Sequence, residues 1–322
     1  MILAGDIGGT TTRLGLFDAE GGRPRPVTVR TYSTLGFSGL AHMISAFASE
    51  PGVHGAQAEA ACFGVAGPVL GDVARLTNVP FQVDAREVAQ AFDIPRVALL
   101  NDVQAMAYAV PALDASELLT LQAGEPHPNG NVALIAAGTG LGQALLHNVG
   151  GRLLPSPSEG GHADYAPRTE REVAVLRELT QRYGRAEVEQ VVSGPGLVNL
   201  HRVTHTEPCL AVDDETQPDA PARIATAAIE RRCRGCMDAL GLFVDAYGAE
   251  AGNLALRCLA TGGVYVGGGI APKILPALTD GRFLNAFLDK GTMRELLARI
   301  PLRIILSAEP GLLGAAVFAA GL

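Results

Sequence analysis

The sequence has no tryptophan and only two lysines, Lys273 and Lys290. With 25 basic residues in all, the remaining 23 are arginines. The shortage of lysine excludes two large classes of phosphate-handling enzyme. A Walker A loop requires G-x-x-x-x-G-K-[ST], and neither lysine follows Gly or precedes Ser or Thr. Neither stands in the V-A-I-K strand of a protein kinase. Long apolar runs are also missing: stretches such as 311–322 fall well short of the ~20 residues of a membrane span. No basic n-region opens the chain, and Asp6 arrives almost at once, unlike a secretory signal. Basic runs are absent and the net charge is −8, so neither nucleic acid nor membrane is an expected partner. The small Arg231, Arg232, Arg234 cluster reads as a solvated helix face. Cysteines number five, an odd count that suits a reducing, cytoplasmic location. Cys233 and Cys236 form a C-x-x-C, but it reads as helical, with no second pair and no nearby His, so it is expected to be structural and free of metal.

What is present is ample for a folded enzyme. The 322 residues predict about two domains, and 48% hydrophobic against 18% charged residues excludes a disordered chain. The 39 glycines and 20 prolines punctuate apolar runs. Strands are predicted at 2–4, 14–17, 26–32, 60–66, 97–100, 132–136, 143–147, 264–266 and 303–306. Helices are predicted at 40–49, 84–92 (opened by the capping pattern Asp84-Ala-Arg-Glu87), 170–182, 187–192, 222–247, 249–259, 271–278 and 312–320. Alternating strands and helices predict an α/β fold. A strand–glycine turn–strand opening occurs near residue 6 and again near residue 138, which predicts two related domains.

Asp6-Ile7-Gly8-Gly9-Thr10 lies between two strands, where glycine backbone amides can form an anion site and Asp6 can hold a hydrated divalent cation. A plain hairpin turn is the alternative. Gly138-Thr139-Gly140-Leu141-Gly142 is a second such turn; it fails the dinucleotide fingerprint because position 143 is Gln. Gly267-Gly268-Gly269 ends a strand, where backbone could approach a flat base closely. Asn101-Asp102 ends a buried strand, the position at which open α/β sheets present ligands; an Asp there, taken by itself, reads better as a helix N-cap. Glu159-Gly160-Gly161-His162 joins a carboxylate to an imidazole through two glycines, a pattern suited to hydrogen-bonding a polyol. Glu189, read alone, is an ordinary surface glutamate.

Taken in order, Asp6–Thr10, Asn101-Asp102, Gly138–Gly142, Glu159–His162, Ser193-Gly194-Pro195-Gly196-Leu197-Val198-Asn199-Leu200 and Pro310-Gly311-Leu312-Leu313-Gly314 span nearly the whole chain. That succession resembles the bacterial glucokinase family, within the hexokinase–actin–Hsp70 superfamily. The C-x-C-G-x-x-G-C zinc motif of the sister ROK sugar kinases is missing, and Cys233/Cys236 does not substitute for it.

The resemblance implies a two-domain, ribonuclease H-like (actin-like ATPase) α/β fold with a cleft between a small domain, 1–111 plus 310–322, and a large domain, 112–309. It implies that glucose and ATP are the substrates, with Mg²⁺. Gly5, Asp6, Ile7, Gly8, Gly9 and Thr10 would bind the phosphates, Asp6 near Mg²⁺ through water. Gly138 and Thr139 would form the second phosphate loop, and Gly267, Gly268 and Gly269 would lie by the adenosine. Asp102 would be the general base for the 6-hydroxyl, with Asn101, Gly138, Glu159, His162 and Glu189 at the sugar. A homodimer is the family's common assembly. A kinase for another hexose, or a non-catalytic sugar sensor on the same fold, is the alternative.

Overall fold

The computed structural model describes residues 1–19, 22–76, 79–205, 208–209 and 211–322. They form two compact units, one from Met1–Asp114 with Ser307–Leu322 and the other from Ala115–Leu306.

The first unit is built on β1 (Ile2–Ile7), β2 (Thr11–Asp18), β3 (Arg25–Ser33), α1 (Leu40–Ala48), β4 (Ala60–Val65), β5 (Val69–Leu70), β6 (Val73–Arg75), β7 (Gln82–Asp84), α2 (Ala85–Phe92), β8 (Val97–Asn101) and α3 (Asp102–Ala109), with the chain's last helix, Pro310–Ala320. Its main sheet has the order β3-β2-β1-β4-β8. β1 pairs antiparallel with β2 and parallel with β4, and β4 pairs parallel with β8. The three parallel strands therefore end on one side, at Ile7, Val65 and Asn101. Pleating sends alternate β1 side chains to opposite faces. Leu3 and Ile7 pack in a core with α1 and α2, whereas Ile2 and Ala4 join Leu312, Ala315 and Ala316 of the last helix. That helix crosses α3 closely because Gly314 has no Cβ; one there would collide with the backbone of Ala105.

The second unit contains β9 (Leu118–Gln122), β10 (Val132–Ala137), β11 (Leu141–Val149), β12 (Arg152–Ser158), α4 (Glu170–Tyr183), α5 (Gly194–Thr204), α6 (Ala220–Ile229), α7 (Arg234–Cys258), β13 (Gly263–Gly267), α8 (Leu275–Leu278), α9 (Arg282–Leu288), α10 (Arg294–Arg299) and β14 (Leu302–Ile305); α11 is then Pro310–Ala320. The sheet order is β12-β11-β10-β13-β14-β9. β10 pairs antiparallel with β11 and parallel with β13, and β13 parallel with β14. The first five strands thus repeat the order and directions of the other sheet, each opened by a hairpin.

Three predicted elements fold differently. Residues 187–192 form a turn, and the helix begins after them, where Ser193 accepts the Gly196 N–H (3.0 Å) as N-cap and Pro195 occupies the first turn. The long helix expected over 222–247 is broken: α6 stops at Ile229, Arg231 takes φ +56°, and α7 starts after Cys233. The arginine cluster is therefore split between this turn and the start of α7. Conversely, α7 runs unbroken past Gly248 to Cys258. Glycine is needed there because a Cβ would strike the Phe283 carbonyl of α9, so the residue sets a close helix crossing rather than a helix end.

Candidate active site

In the first unit, Asp6 stands at the end of β1 on the face covered by α11. Gly311, in the first turn of α11, lies so close that an added Cβ would be 3.3 Å from the Asp6 carboxyl carbon. Arg13, opposite Asp6 on β2, reaches Asp6 Oδ2 at 3.9 Å and Glu309 Oε1 at 3.3 Å. Burial, then the nearby Asp102 charge, push the Asp6 carboxyl up to about 6; Arg13 opposes the shift and Glu309 adds to it. Three carboxylates and one guanidinium thus share the carboxyl end of this sheet.

Asn101 ends β8 and is itself the N-cap of α3: its Oδ1 accepts Val103 N–H at 3.0 Å and Gln104 N–H at 3.4 Å, and its Nδ2 donates to Gly67 O at 3.4 Å. Asp102 is the first helical residue rather than the cap, and its Oδ1 accepts the Val103 N–H at 2.9 Å. The carboxylate is therefore fixed at the first turn of a helix, at the positive end of its dipole.

The turn after β1 is closed by Gly8 N–H donating to Thr11 O (3.0 Å). Thr34 braces it, its hydroxyl donating to Gly8 O (2.8 Å) and its N–H to Thr10 O (2.9 Å). Gly8, Gly9 and Thr10 lie at the surface of this turn. Gly5 and Ile7 do not: Gly5 is inside the ladder between Leu14 and Phe63, where a Cβ would meet the Phe63 ring, and the Ile7 side chain is wholly buried. Their contribution is to hold Asp6 and the turn in position.

In the second unit the three glycine motifs come together. β10 and β13 run parallel, with Ala136 opposite Gly267, so both following turns emerge at one edge. Gly268 has φ +86° and its missing Cβ makes room for the Ala137 backbone. Gly194 N–H, at the start of α5, donates to Gly138 O at 2.9 Å. Beneath them the fully buried Tyr247 hydroxyl accepts the Ala137 N–H (3.2 Å) and lies 3.2 Å from Gly267 O, pinning the roots of both turns.

The acidic residues and the imidazole adjoin the same region. Glu189 Oε2 accepts the Leu141 N–H at 2.8 Å, and its own N–H donates to Gly161 O at 2.8 Å, so it bridges the Gly138–Gly142 and Glu159–His162 turns. Gly140 and Gly160 leave space for the Glu189 carboxylate and the Gln143 amide. His162 is half exposed, its N–H bonded to Glu159 O (3.0 Å), and its Nδ1 meets Glu187 Oε2 at 2.9 Å. That bond raises the imidazole pKa, with the neighbouring glutamates adding to it against some desolvation.

Sequence reasoning missed Arg13, Glu309, Thr34, Tyr247 and Glu187. Each supports a predicted residue from another element, a pairing that no local motif encodes. It also erred on the cysteines: Cys233 is the N-cap of α7, and His205 and Cys209 lie against it, so a His is close after all.

The architecture is that of sugar kinases. It matches the crystal structure of glucokinase from an Antarctic psychrotroph at TM-score 0.87, with 31% identity and coverage of 100% of this chain and 99% of that one. A ROK-family glucokinase from Streptomyces griseus, solved with glucose and AMPPNP, matches in fold at TM-score 0.70 with 21% identity, covering 100% and 99% of the two chains. In sequence, the chain is 42% identical over 341 aligned residues to the glucokinase of Nostoc sp., covering 100% of this chain and 99% of the relative. The glucokinase family model matches residues 3–322, and the chain belongs to that family.

Proposed function

We propose that the protein transfers the γ-phosphoryl group of ATP to the 6-hydroxyl of glucose, with Asp102 as general base. What carries this reading is a carboxylate fixed just after the carboxyl end of a parallel strand and at a helix N-terminus, in a chain matching glucokinases over its whole length. Phosphoryl transfer is mostly positioning and charge stabilisation, and the base has to orient the hydroxyl and accept its proton. Asp102 suits both tasks, since its Oδ1 is anchored on the Val103 N–H and the carboxylate is held at the strand end that leads into α3.

Asn101, Gly138, Glu159, His162 and Glu189 bind the remaining sugar hydroxyls, with Glu187 orienting His162. The amides of Gly8, Gly9 and Thr10 and of Gly138 and Thr139 receive the phosphates, and Gly267–Gly269 adjoin the adenosine. ATP as donor is supported by the AMPPNP held by the Streptomyces griseus relative. Asp6 fits a hydrated Mg²⁺: its carboxyl is pushed up to about 6 by burial and by Asp102, a penalty that a nearby cation relieves. Mg²⁺, when bound with ATP, neutralises charge on the phosphates. The same reading takes a small domain, 1–111 plus 310–322, and a large domain, 112–309, as the two halves of a ribonuclease H-like, actin-like ATPase fold, in a cytoplasmic homodimer. The chain has no helix long and apolar enough to cross a membrane among its described residues.

The test is a coupled assay across hexoses (glucose, mannose, fructose, glucosamine) and donors (ATP, ADP, polyphosphate), with light scattering for the dimer. The reading expects the highest kcat/KM with glucose and ATP. A clear preference for another hexose or donor, or no turnover, would contradict it.

A further inference from the structure

Beyond the kinase chemistry, one cluster of soft ligands in the second unit has no part in it. His205 is the C-cap residue of α5, Cys209 follows it after three residues, Cys233 is the N-cap of α7, and Cys236 lies in the first turn of α7. Cys209 Sγ is 3.7 Å from Cys233 Sγ and 3.7 Å from Cys236 Sγ. His205 Nε2 is 3.2 Å from Cys233 Sγ and 3.9 Å from Cys236 Sγ. All five cysteines of the chain are free thiols, and the sulfur separations are far beyond the ~2.05 Å of a disulfide.

These distances supply four of the six edges of a coordination tetrahedron. A metal with bonds of ~2.3 Å to sulfur and ~2.05 Å to nitrogen sets sulfurs ~3.8 Å apart and sulfur ~3.6 Å from nitrogen. The two sulfur–sulfur edges match, and the two sulfur–nitrogen edges straddle the expected value. The imidazole is already in the tautomer that a metal requires. His205 Nδ1 lies 2.8 Å from His201 O, a carbonyl that can only accept, so the proton sits on Nδ1 and the Nε2 lone pair faces the three sulfurs. The Cys236 N–H points at Cys233 Sγ (3.4 Å), steadying the sulfur that would carry negative charge. His201 closes the cluster: it is 3% exposed, its ring stacks on His205 with centroids 3.8 Å apart, and its Nδ1 is held by Glu215 at 2.5 Å. Its Nε2 is buried without a partner, and a ring nitrogen of His201 lies within 4.8 Å of the ligating atoms of His205, Cys209 and Cys236.

We propose that His205, Cys209, Cys233 and Cys236 bind a structural Zn²⁺ that ties the end of α5 to the start of α7. Three thiolates and one imidazole form a closed set with no open position, which is a structural rather than a catalytic arrangement. Binding releases the three thiol protons to solvent and changes no oxidation state. Cys233 completes the set rather than His201, because its Sγ lies 3.2 Å from His205 Nε2 and 3.7 Å from Cys209 Sγ, and the Glu215 bond engages the other histidine. The metal acts on stability: α5 begins at the Gly138 turn and ends at His205, so the ion anchors its far end.

The experiment uses the full chain, purified under reductant without chelator. Elemental analysis should find about one zinc per chain, and replacement by Co²⁺ should give the intense visible bands and thiolate charge-transfer absorption of a tetrahedral sulfur-rich site. Cys209→Ser, Cys233→Ser and Cys236→Ser should each lower zinc content and the melting temperature, while Cys62→Ala and Cys258→Ala keep the metal. Co²⁺ titration of the metal-free wild-type chain gives the answer even where a variant fails to fold. Negligible zinc together with no thiolate–cobalt spectrum on titration would overturn the proposal. So would a spectrum that survives Cys233→Ser and disappears in His201→Ala, or a disulfide among these cysteines in the reduced preparation.

Discussion

Asp6→Asn removes a charge while keeping the side chain's shape, and the structure gives the change opposite signs for stability and for activity. Burial and Asp102 raise the Asp6 pKa from 3.8 to about 6, so at neutral pH the folded chain holds this carboxylate at a cost. A rise of roughly two pKa units at 1.36 kcal/mol each is about 3 kcal/mol. That figure is an upper bound, because the side chain keeps 28% of its exposure and the substitution also removes the 3.9 Å pairing with Arg13. A stabilisation of about 1–3 kcal/mol is expected above pH 6. The pH window follows from the direction of the shift. A carboxyl with the higher pKa in the folded state binds its proton more tightly when folded. Its penalty is therefore absent below 3.8, grows between 3.8 and about 6, and is complete above 6. Urea denaturation at pH 4 and pH 7.5 reads this directly, with the two proteins nearly equal at pH 4 and the Asn variant more stable at pH 7.5. Kinase turnover in the variant should collapse, the usual exchange where a strained group serves function. An Asn variant less stable than wild type at pH 7.5, or a stability difference independent of pH, would refute the electrostatic account of Asp6.

Gly314→Ala puts a methyl into the Ala105 backbone where α11 crosses α3, and should cost about 2 kcal/mol in chemical denaturation; unchanged stability would mean the two helices part easily. Glu159→Ala or His162→Ala should weaken glucose binding by about 1–3 kcal/mol each by calorimetry, since a site hydroxyl loses its partner; an ATP affinity that falls while glucose affinity holds would contradict their assignment to the sugar. Glu187→Gln should lower the His162 pKa in an NMR titration, because the Glu187 hydrogen bond is the main cause of its rise; an unmoved pKa would remove Glu187 as its orienting partner.

The parts of this fold that were legible are those specified by neighbouring residues. Val97–Leu100 reads as a strand from its own apolar run, though that run points to a central strand and β8 is the half-buried edge of its sheet; Asp84 reads as a cap from its spacing to Glu87, and it receives the Arg86 N–H at 2.8 Å. The Asn101-Asp102 step was legible as a strand end, though not which of the two residues caps the helix. Ser193-Gly194-Pro195 carries a helix start signal, yet the apolar spacing of residues 187–192 masked it. Gly248 reads as a break because sequence alone does not show the Phe283 carbonyl that requires glycine there. The supporting shell was illegible for the same reason. Arg13 meets Glu309 from the opposite end of the chain, and Cys209 meets Cys233 and Cys236 from 24 and 27 residues away, separations that only the tertiary fold closes.

The general base is the centre of the functional account, and Asp102→Asn tests it most directly. Glucose and ATP are incubated with wild-type and Asn variant, glucose 6-phosphate and ADP are followed by phosphorus NMR, and glucose affinity is measured by calorimetry on the same samples. The account predicts equimolar glucose 6-phosphate and ADP from the wild type. It predicts turnover lower by ~10²–10⁴-fold in the variant, which keeps its shape but cannot accept the proton, with glucose binding largely retained. Near-normal turnover in the Asn variant would contradict it.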